Sequence, residues 1–200
     1  FFKGLLFLAA GSVMHAMEHG FRAAHDHPAP RDGVPPHQDL RLMGGLLPRM
    51  PVTAWALVIG GLALAGVVPL AGFWSKDEIL VEVLAHPGGL WAALYGVALL
   101  TAFLTAFYTG RQVLLALTGV PRSKGAAHAS DSPPVMTWPL VVLSGLAIVG
   151  GLAGVGIAGA RAPLAALLEP VVGAHAGDVA VPKLLAALIA TVVALAGLGL

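Results

Sequence analysis

The sequence predicts an all-α protein, a polytopic membrane helical bundle, and three observations carry that reading. Of its 200 residues, 58% are hydrophobic and only 10% are charged, against about 25% charged in soluble domains. So few charges cannot cover a surface in water, and the apolar excess has to face lipid. Apolar runs alternate with polar segments, and several runs reach the roughly 20 residues that cross about 30 Å of hydrocarbon at 1.5 Å each. The Lys and Arg residues between the runs fall mainly on one side of that alternation.

Five spans are expected, near residues 1–17, 52–84, 90–117, 138–157 and 184–200. The first carries no acidic residue and no Lys or Arg from Gly4 to Met17. The chain opens at Phe1-Phe2-Lys3 inside one apolar run and stops at Leu200 inside another, with no initiator Met or targeting segment. It therefore reads as an interior piece of a longer protein. Residues 18–50 form a polar loop. The second run, 52–84, would be about 50 Å long as one straight helix, more than a bilayer needs. Gly66, Pro69 and Gly72 lie inside it, and a break is expected between Gly66 and Gly72. The third span, 90–117, carries Arg111 near its end, a second polar loop covers 118–137, and the fourth span follows. Residues 158–182 are mixed, and Arg161 to Val172 is expected to form a short amphipathic or irregular surface element, with Pro163 in its first turn.

Cytoplasmic loops are rich in Lys and Arg. Arg22, Arg31, Arg41, Arg49, Arg122 and Lys124 fall on one side of the five-span alternation, and only Arg161 and Lys183 on the other. The side holding 18–50 is therefore expected to be cytoplasmic. Trp55, Trp91 and Trp138 each sit near a span start, where indole favours the interface. A net charge of +1 gives no reason to expect a nucleic-acid partner. The absence of cysteine excludes disulfides, thiolate metal sites and Cys-ligated iron–sulfur clusters from the sequence.

The most informative stretch is Phe73-Trp74-Ser75-Lys76-Asp77-Glu78. Three charges follow a 26-residue uncharged run, just past the Pro/Gly-interrupted segment. A helix break in lipid frees backbone groups that need protein or water partners. Ionisable groups beside such a break can relay protons. The plainer reading, that Lys76 to Glu78 mark the membrane edge, stays open, because counting from Val52 puts Lys76 near the far interface. Lys3 is a relay lysine or a snorkelling lysine at a helix end. His15 lies twelve residues further on, about 18 Å along the helix and about 120° around it. It is a second relay station, with a pKa near neutrality, or a histidine at the aqueous boundary beside Glu18. His19, His25, His27 and His37 with Asp26, Asp32 and Asp39 have a metal-like composition, but the loop is Pro-rich and lacks a ligand spacing such as HExxH. A solvated loop is expected there. Gly154 to Gly159 matches GxGxxG but follows a span and not a strand; glycines that let helices pack closely are the better reading.

Five blocks run in order over about three quarters of the chain: FFKGLLFLAAGSVMHAM, DLRLMGGLLPRMPVT, LALAGVVPLAGFWSKDEIL, TAFLTAFYTGRQVLLALTG and SPPVMTWPLVVLSGLAIVGG. Together they resemble the antiporter-like subunits of the membrane arm of respiratory complex I, best the large distal one, subunit L or chain 5. The resemblance implies an inverted-repeat fold with a broken transmembrane helix. Residues 1–117 would be the end of the second repeat, and 118–200 two further helices with their loops. It implies a proton-translocating subunit of NADH:quinone oxidoreductase in which Lys3, Lys76, Asp77 and His15 relay protons. It implies no cofactor in this chain, with NADH and quinone acting in other subunits. Partners would be the other membrane-arm subunits and the lipid bilayer, and the location a bacterial inner membrane, with several passes. The large subunit of a multisubunit Na+/H+ antiporter and the homologous subunit of a membrane-bound hydrogenase share these motifs. A purely structural scaffold is the alternative of a different class, and it requires Lys3 and Lys76 to tolerate replacement. Phe21 to His37 departs from the family as a Pro/His-rich insertion.

Cysteines placed at Arg31 and Gly88 are expected to label from opposite faces of the membrane with an impermeant thiol reagent. Labelling of both from one face contradicts the alternation.

Overall fold

In the computed structural model, residues 1–154 and 183–199 are described, and these are mostly helical. Seven α-helices are found among them: α1 (Phe2–Ala23), α2 (Pro51–Ala65), α3 (Ala71–Ala85), α4 (Gly89–Leu117), α5 (Lys124–Ala127), α6 (Pro134–Val149) and α7 (Lys183–Gly199). The GxGxxG stretch beyond Gly154 and the element expected at Arg161 to Val172 lie outside the described residues.

Several boundaries differ from the sequence expectation, each for a local reason. Helix α1 runs on to Ala23 and does not stop at residue 17. The residues past Met17 are good helix material: Glu18 and Arg22 pair four apart at 2.6 Å, the better order for a helical ion pair. Phe21 continues the buried series Leu5, Ala9, Val13, Met17, which repeats every fourth residue down one face. The second expected span is two helices of 15 residues, each about 22 Å long and too short to cross alone. Helix α6 starts at Pro134, ahead of Trp138, because Pro suits a first turn. It tightens into a 3₁₀ turn over Gly150–Gly154 where two glycines weaken the α-helix. The loop expected at 118–137 contains α5, whose cap is Ser123: its Oγ accepts from the Ala126 N–H at 3.1 Å. Helix α4 and the stretch Pro134–Leu152 are long and apolar enough to cross a membrane, while α2 and Leu188–Gly199 are shorter apolar helices.

The chain divides into two compact units. The first comprises Phe1–Gly61 and Gly110–Ser144, the second Leu62–Thr109 and Gly145–Leu200. In the first, small residues let backbones approach, as in other membrane helix contacts. A Cβ on Gly20 of α1 would land on the Gly125 carbonyl oxygen of α5. A Cβ on Gly60 of α2 would sit 2.9 Å from Leu6 Cγ of α1. The long connection between α1 and α2 carries 3₁₀ turns at Pro36–Gln38 and Leu40–Leu42. Asp39 starts the second turn: its carboxylate accepts the Arg41 backbone N–H at 2.9 Å and the Arg41 Nε–H at 2.9 and 3.1 Å. Those bonds to Arg41 hold the Asp39 carboxyl below the usual carboxylate range. Arg49 closes the connection from the other side, donating to the carbonyls of Gly45 at 2.9 Å and Ala127 at 3.0 Å.

In the second unit, α3 packs against the 3₁₀ turn after α6 and against α7. Trp74 of α3 lies against Gly151 so closely that a Cβ there would overlap its ring.

Gly20→Val is expected to force α1 from α5 and cost about 1–3 kcal/mol, the usual range for overpacking. A lowered thermal midpoint of the purified assembly is the readout, and an unchanged midpoint contradicts the close approach.

Candidate functional site

Helix α2 stops in the middle of an apolar sequence. The last four carbonyls of any helix lack intrahelical partners, and in hydrocarbon no water is at hand to satisfy them. Here each of the four has a donor. Gly66 takes φ +87°, a left-handed conformation that only glycine adopts freely. That turn aims the Gly66 N–H at the carbonyls of Leu62 and Ala63, both at 3.1 Å, and the Val67 N–H at Leu62 at 3.0 Å. This is the usual hydrogen-bonded glycine stop of a helix. Leu64 and Ala65 remain, and Lys76 serves both: its Nζ donates to the Leu64 oxygen at 2.8 Å and the Ala65 oxygen at 3.3 Å. A cation at a helix C-terminus also meets the negative end of the helix dipole.

Lys76 reaches this end from α3. Residues 66–70 break the helix, with a cis peptide at Val68-Pro69. Leu70 is the extended N-cap of α3. Trp74, one turn into α3, donates its indole Nε1–H to the Pro69 carbonyl at 3.0 Å. Trp74 and Lys76 of the same short motif therefore both satisfy carbonyls at the break. The Lys76 side chain passes over Gly66, where a Cβ would lie 3.1 Å from its Cδ. Lys76 is partly buried. Its ammonium sits among carbonyl oxygens at the discontinuity between α2 and α3.

The other expected residues fall as follows. Asp77 follows Lys76 on α3; its side chain lies outside the described parts. Lys3 is exposed on the first turn of α1 and makes no hydrogen bond or ion pair with described residues. His15 is half-buried on α1, and its ring meets that of His19, four residues on, at 4.3 Å between centroids. Lys3 and His15 thus occupy one helix without touching. No group of three or more His, Cys, Asp or Glu placed to hold a metal ion occurs among the described residues.

A polar cluster in the first unit escaped the sequence reading. Asp131 accepts the N–H groups of Val52 at 3.1 Å and Thr53 at 3.2 Å, capping the first turn of α2. The Thr53 hydroxyl donates to the same carboxylate at 3.0 Å. Ser12 Oγ lies 2.8 Å from Thr53 Oγ1 and 2.7 Å from Ser132 Oγ. Ser12 and Thr53 are fully buried and Ser132 nearly so. In sequence, Asp131-Ser132 beside Pro133-Pro134 looks like a local start signal for α6, and nothing marks a helix start 78 residues earlier as its target.

The discontinuous helix with a lysine at its break, in a mostly helical chain with segments long and apolar enough to cross a membrane, fits a helical membrane protein. Residues 1–109 match the family described as NADH:quinone oxidoreductase/Mrp antiporter, TM, and the chain belongs to that family. It is 40% identical over 176 residues to NADH-quinone oxidoreductase subunit L of Mycobacterium tuberculosis, covering 88% of this chain and 24% of that protein. It is 39% identical over 178 residues to NAD(P)H-quinone oxidoreductase chain 5 of a Picosynechococcus strain, covering 78% of this chain and 24% of that one. With NADH-ubiquinone oxidoreductase chain 5 of Papio hamadryas it shares 33% over 151 residues, covering 76% and 22%. The chain therefore spans about a quarter of the length of the curated relatives it matches.

Gly66→Ala is expected to lose the left-handed stop, at about 1–2 kcal/mol, and to push Lys76 off the α2 carbonyls. Lower stability together with lower activity of the assembled protein is the expected result. Parent-like values of both contradict the role given to Gly66.

Proposed function

We propose that this chain is part of a membrane-arm subunit of a proton-pumping NADH:quinone oxidoreductase, corresponding to subunit L or chain 5, in which Lys76 relays protons. The observation that carries the proposal is the Lys76 ammonium seated on the Leu64 and Ala65 carbonyls at the break. A lysine held by neutral carbonyls in a partly buried site can lose and regain a proton without breaking a backbone stop that Gly66 and Val67 already form. The names carried by the relatives favour this over an Na+/H+ antiporter or a hydrogenase subunit, because they are quinone oxidoreductase subunits.

In this reading Asp77 tunes the charge beside Lys76, and Lys3 and His15 are further stations on α1. Residues 1–117 close the second antiporter-like repeat, and 118–200 add two helices. NADH and quinone react in other subunits, whose movements of charge and water reach this one across the membrane arm. The protein crosses a bacterial inner membrane several times, bounded by lipid and by those subunits.

Lys76→Arg separates relay from cap. Arginine can donate to the same carbonyls but stays protonated throughout the working range. The variant is expected to assemble while quinone reduction and proton translocation both fall about tenfold or more, since a positioned acid–base group contributes at least that much. Parent values of both in membranes carrying the assembled variant remove Lys76 from the proton path.

A further inference from the structure

The cations expected on the face that holds residues 18–50 divide into two sets. Arg22, Arg31 and Arg41 pair with carboxylates of Glu18, Asp32 and Asp39. Arg49, Arg122 and Lys124 form no ion pair among the described residues. The fold of the first unit gathers these last three along one seam. The Leu47 N–H donates to the Leu117 carbonyl at 3.2 Å and the Gly45 N–H to that of Thr118 at 3.0 Å. Ser123 Oγ donates to the Leu42 carbonyl at 2.7 Å, which sets Lys124 beside the same segment. Arg49 Nη1 donates to the Gly45 carbonyl at 2.9 Å. Arg122 Nη1 donates to the carbonyls of Leu115 at 3.1 Å and Leu40 at 3.5 Å. A Cβ on Gly44 would lie 3.5 Å from Arg122 Cζ, so the two guanidiniums flank the dipeptide Gly44-Gly45. Carbonyls orient a guanidinium but cancel none of its charge. The Nη2 group of each has no partner among the described residues. Oriented guanidiniums with free N–H groups match the oxygens of a phosphate, which they bind in pairs.

Tryptophan marks the depth of this seam. Helix α2 begins at Pro51, two residues past Arg49. The bonds of Val52 and Thr53 to Asp131 tie its start to the approach of α6. Trp55 and Trp138 lie on the second turns of these two helices, and both are exposed, at 58% and 66%. Exposed indoles favour the membrane–water interface, so cations just ahead of the helix starts lie at headgroup level. Basic sites at that depth between membrane helices take anionic headgroups. We propose that Arg49, Arg122 and Lys124 form a binding site for the phosphodiester of an anionic phospholipid, with Trp55 and Trp138 beside the acyl end of its headgroup. The depth selects a lipid over a free phosphate ion, because a soluble anion has no need of indoles beneath it. The site lies wholly in the first unit and stands whether or not Lys76 relays protons.

The test uses the full-length subunit in its assembled complex, reconstituted in phosphatidylcholine vesicles that carry a photoactivatable phosphatidylglycerol. After illumination, labelled peptides are mapped by mass spectrometry. Residues 40–55 and 118–138 are expected to be labelled. The same photoactivatable group on phosphatidylcholine is expected to label them weakly, and inorganic phosphate in excess leaves the phosphatidylglycerol labelling in place. Arg122→Gln and Lys124→Gln are each expected to lower the labelling about fivefold, the share of one cation near a charged surface. Lys124→Arg keeps it. The Lys124 side chain makes no hydrogen bond among the described residues, so its variants leave the fold untouched and decide the matter if Arg122→Gln does not assemble. Equal labelling by the two lipids, or parent labelling in Lys124→Gln, overturns the site. Labelling that inorganic phosphate abolishes assigns the cations to a free anion and overturns the lipid. No labelling in the parent complex means that a protein segment covers the seam, which overturns it as well.

Discussion

A helix that ends in an apolar sequence leaves carbonyls with no intrahelical partner, and the arrangement between residues 62 and 76 answers that constraint. An unpaired polar group in an apolar medium costs on the order of several kcal/mol, more than the whole preference of one residue for helix over coil. The sequence therefore cannot break α2 cheaply. It needs Gly66 to turn the chain, Val67 to complete the backbone stop, and donors on long side chains for what is left. Trp74 and Lys76 are those donors. The motif Phe73-Trp74-Ser75-Lys76 is in this sense the complement of the break that precedes it.

The first unit shows the other means of joining helices where water offers no help. Apolar burial contributes little between helices that sit in lipid, so close packing and interhelical hydrogen bonds do the work. Gly20 against Gly125 and Gly60 against Leu6 supply close packing. Ser12, Thr53, Ser132 and Asp131 supply the bonds. Interhelical hydrogen bonds of this kind average about 0.6 kcal/mol each, so the three hydroxyl contacts together contribute about 2 kcal/mol. Their geometric demands add specificity that packing alone lacks.

Much of this was legible in the sequence, for physical reasons that differ by residue. Gly66 and Pro69 inside an over-long apolar run announce a discontinuity, since that length exceeds what a bilayer accepts, and α2 indeed stops at Ala65. The presence of Lys76 just beyond the break was visible as well, but its bonds to the Leu64 and Ala65 carbonyls were not. The end of α1 was misjudged because Glu18, His19 and Arg22 read as loop charges. A Glu–Arg pair four apart supports a helix equally well, and the burial of Phe21 decides between them. Asp131 was illegible because its targets, Val52 and Thr53, are brought to it by the fold and by no local pattern.

The end of α2 is satisfied in two unlike ways. Leu62 and Ala63 are served by backbone N–H groups that are always present, whereas Leu64 and Ala65 depend on the Lys76 side chain. If the ammonium gave up its proton or swung away, the helix stop would stay intact while two acceptors lost their strongest donor. Water is the natural replacement. Water entering the break would then take over as donor, so that the two acceptors are served whether or not the side chain stays in place.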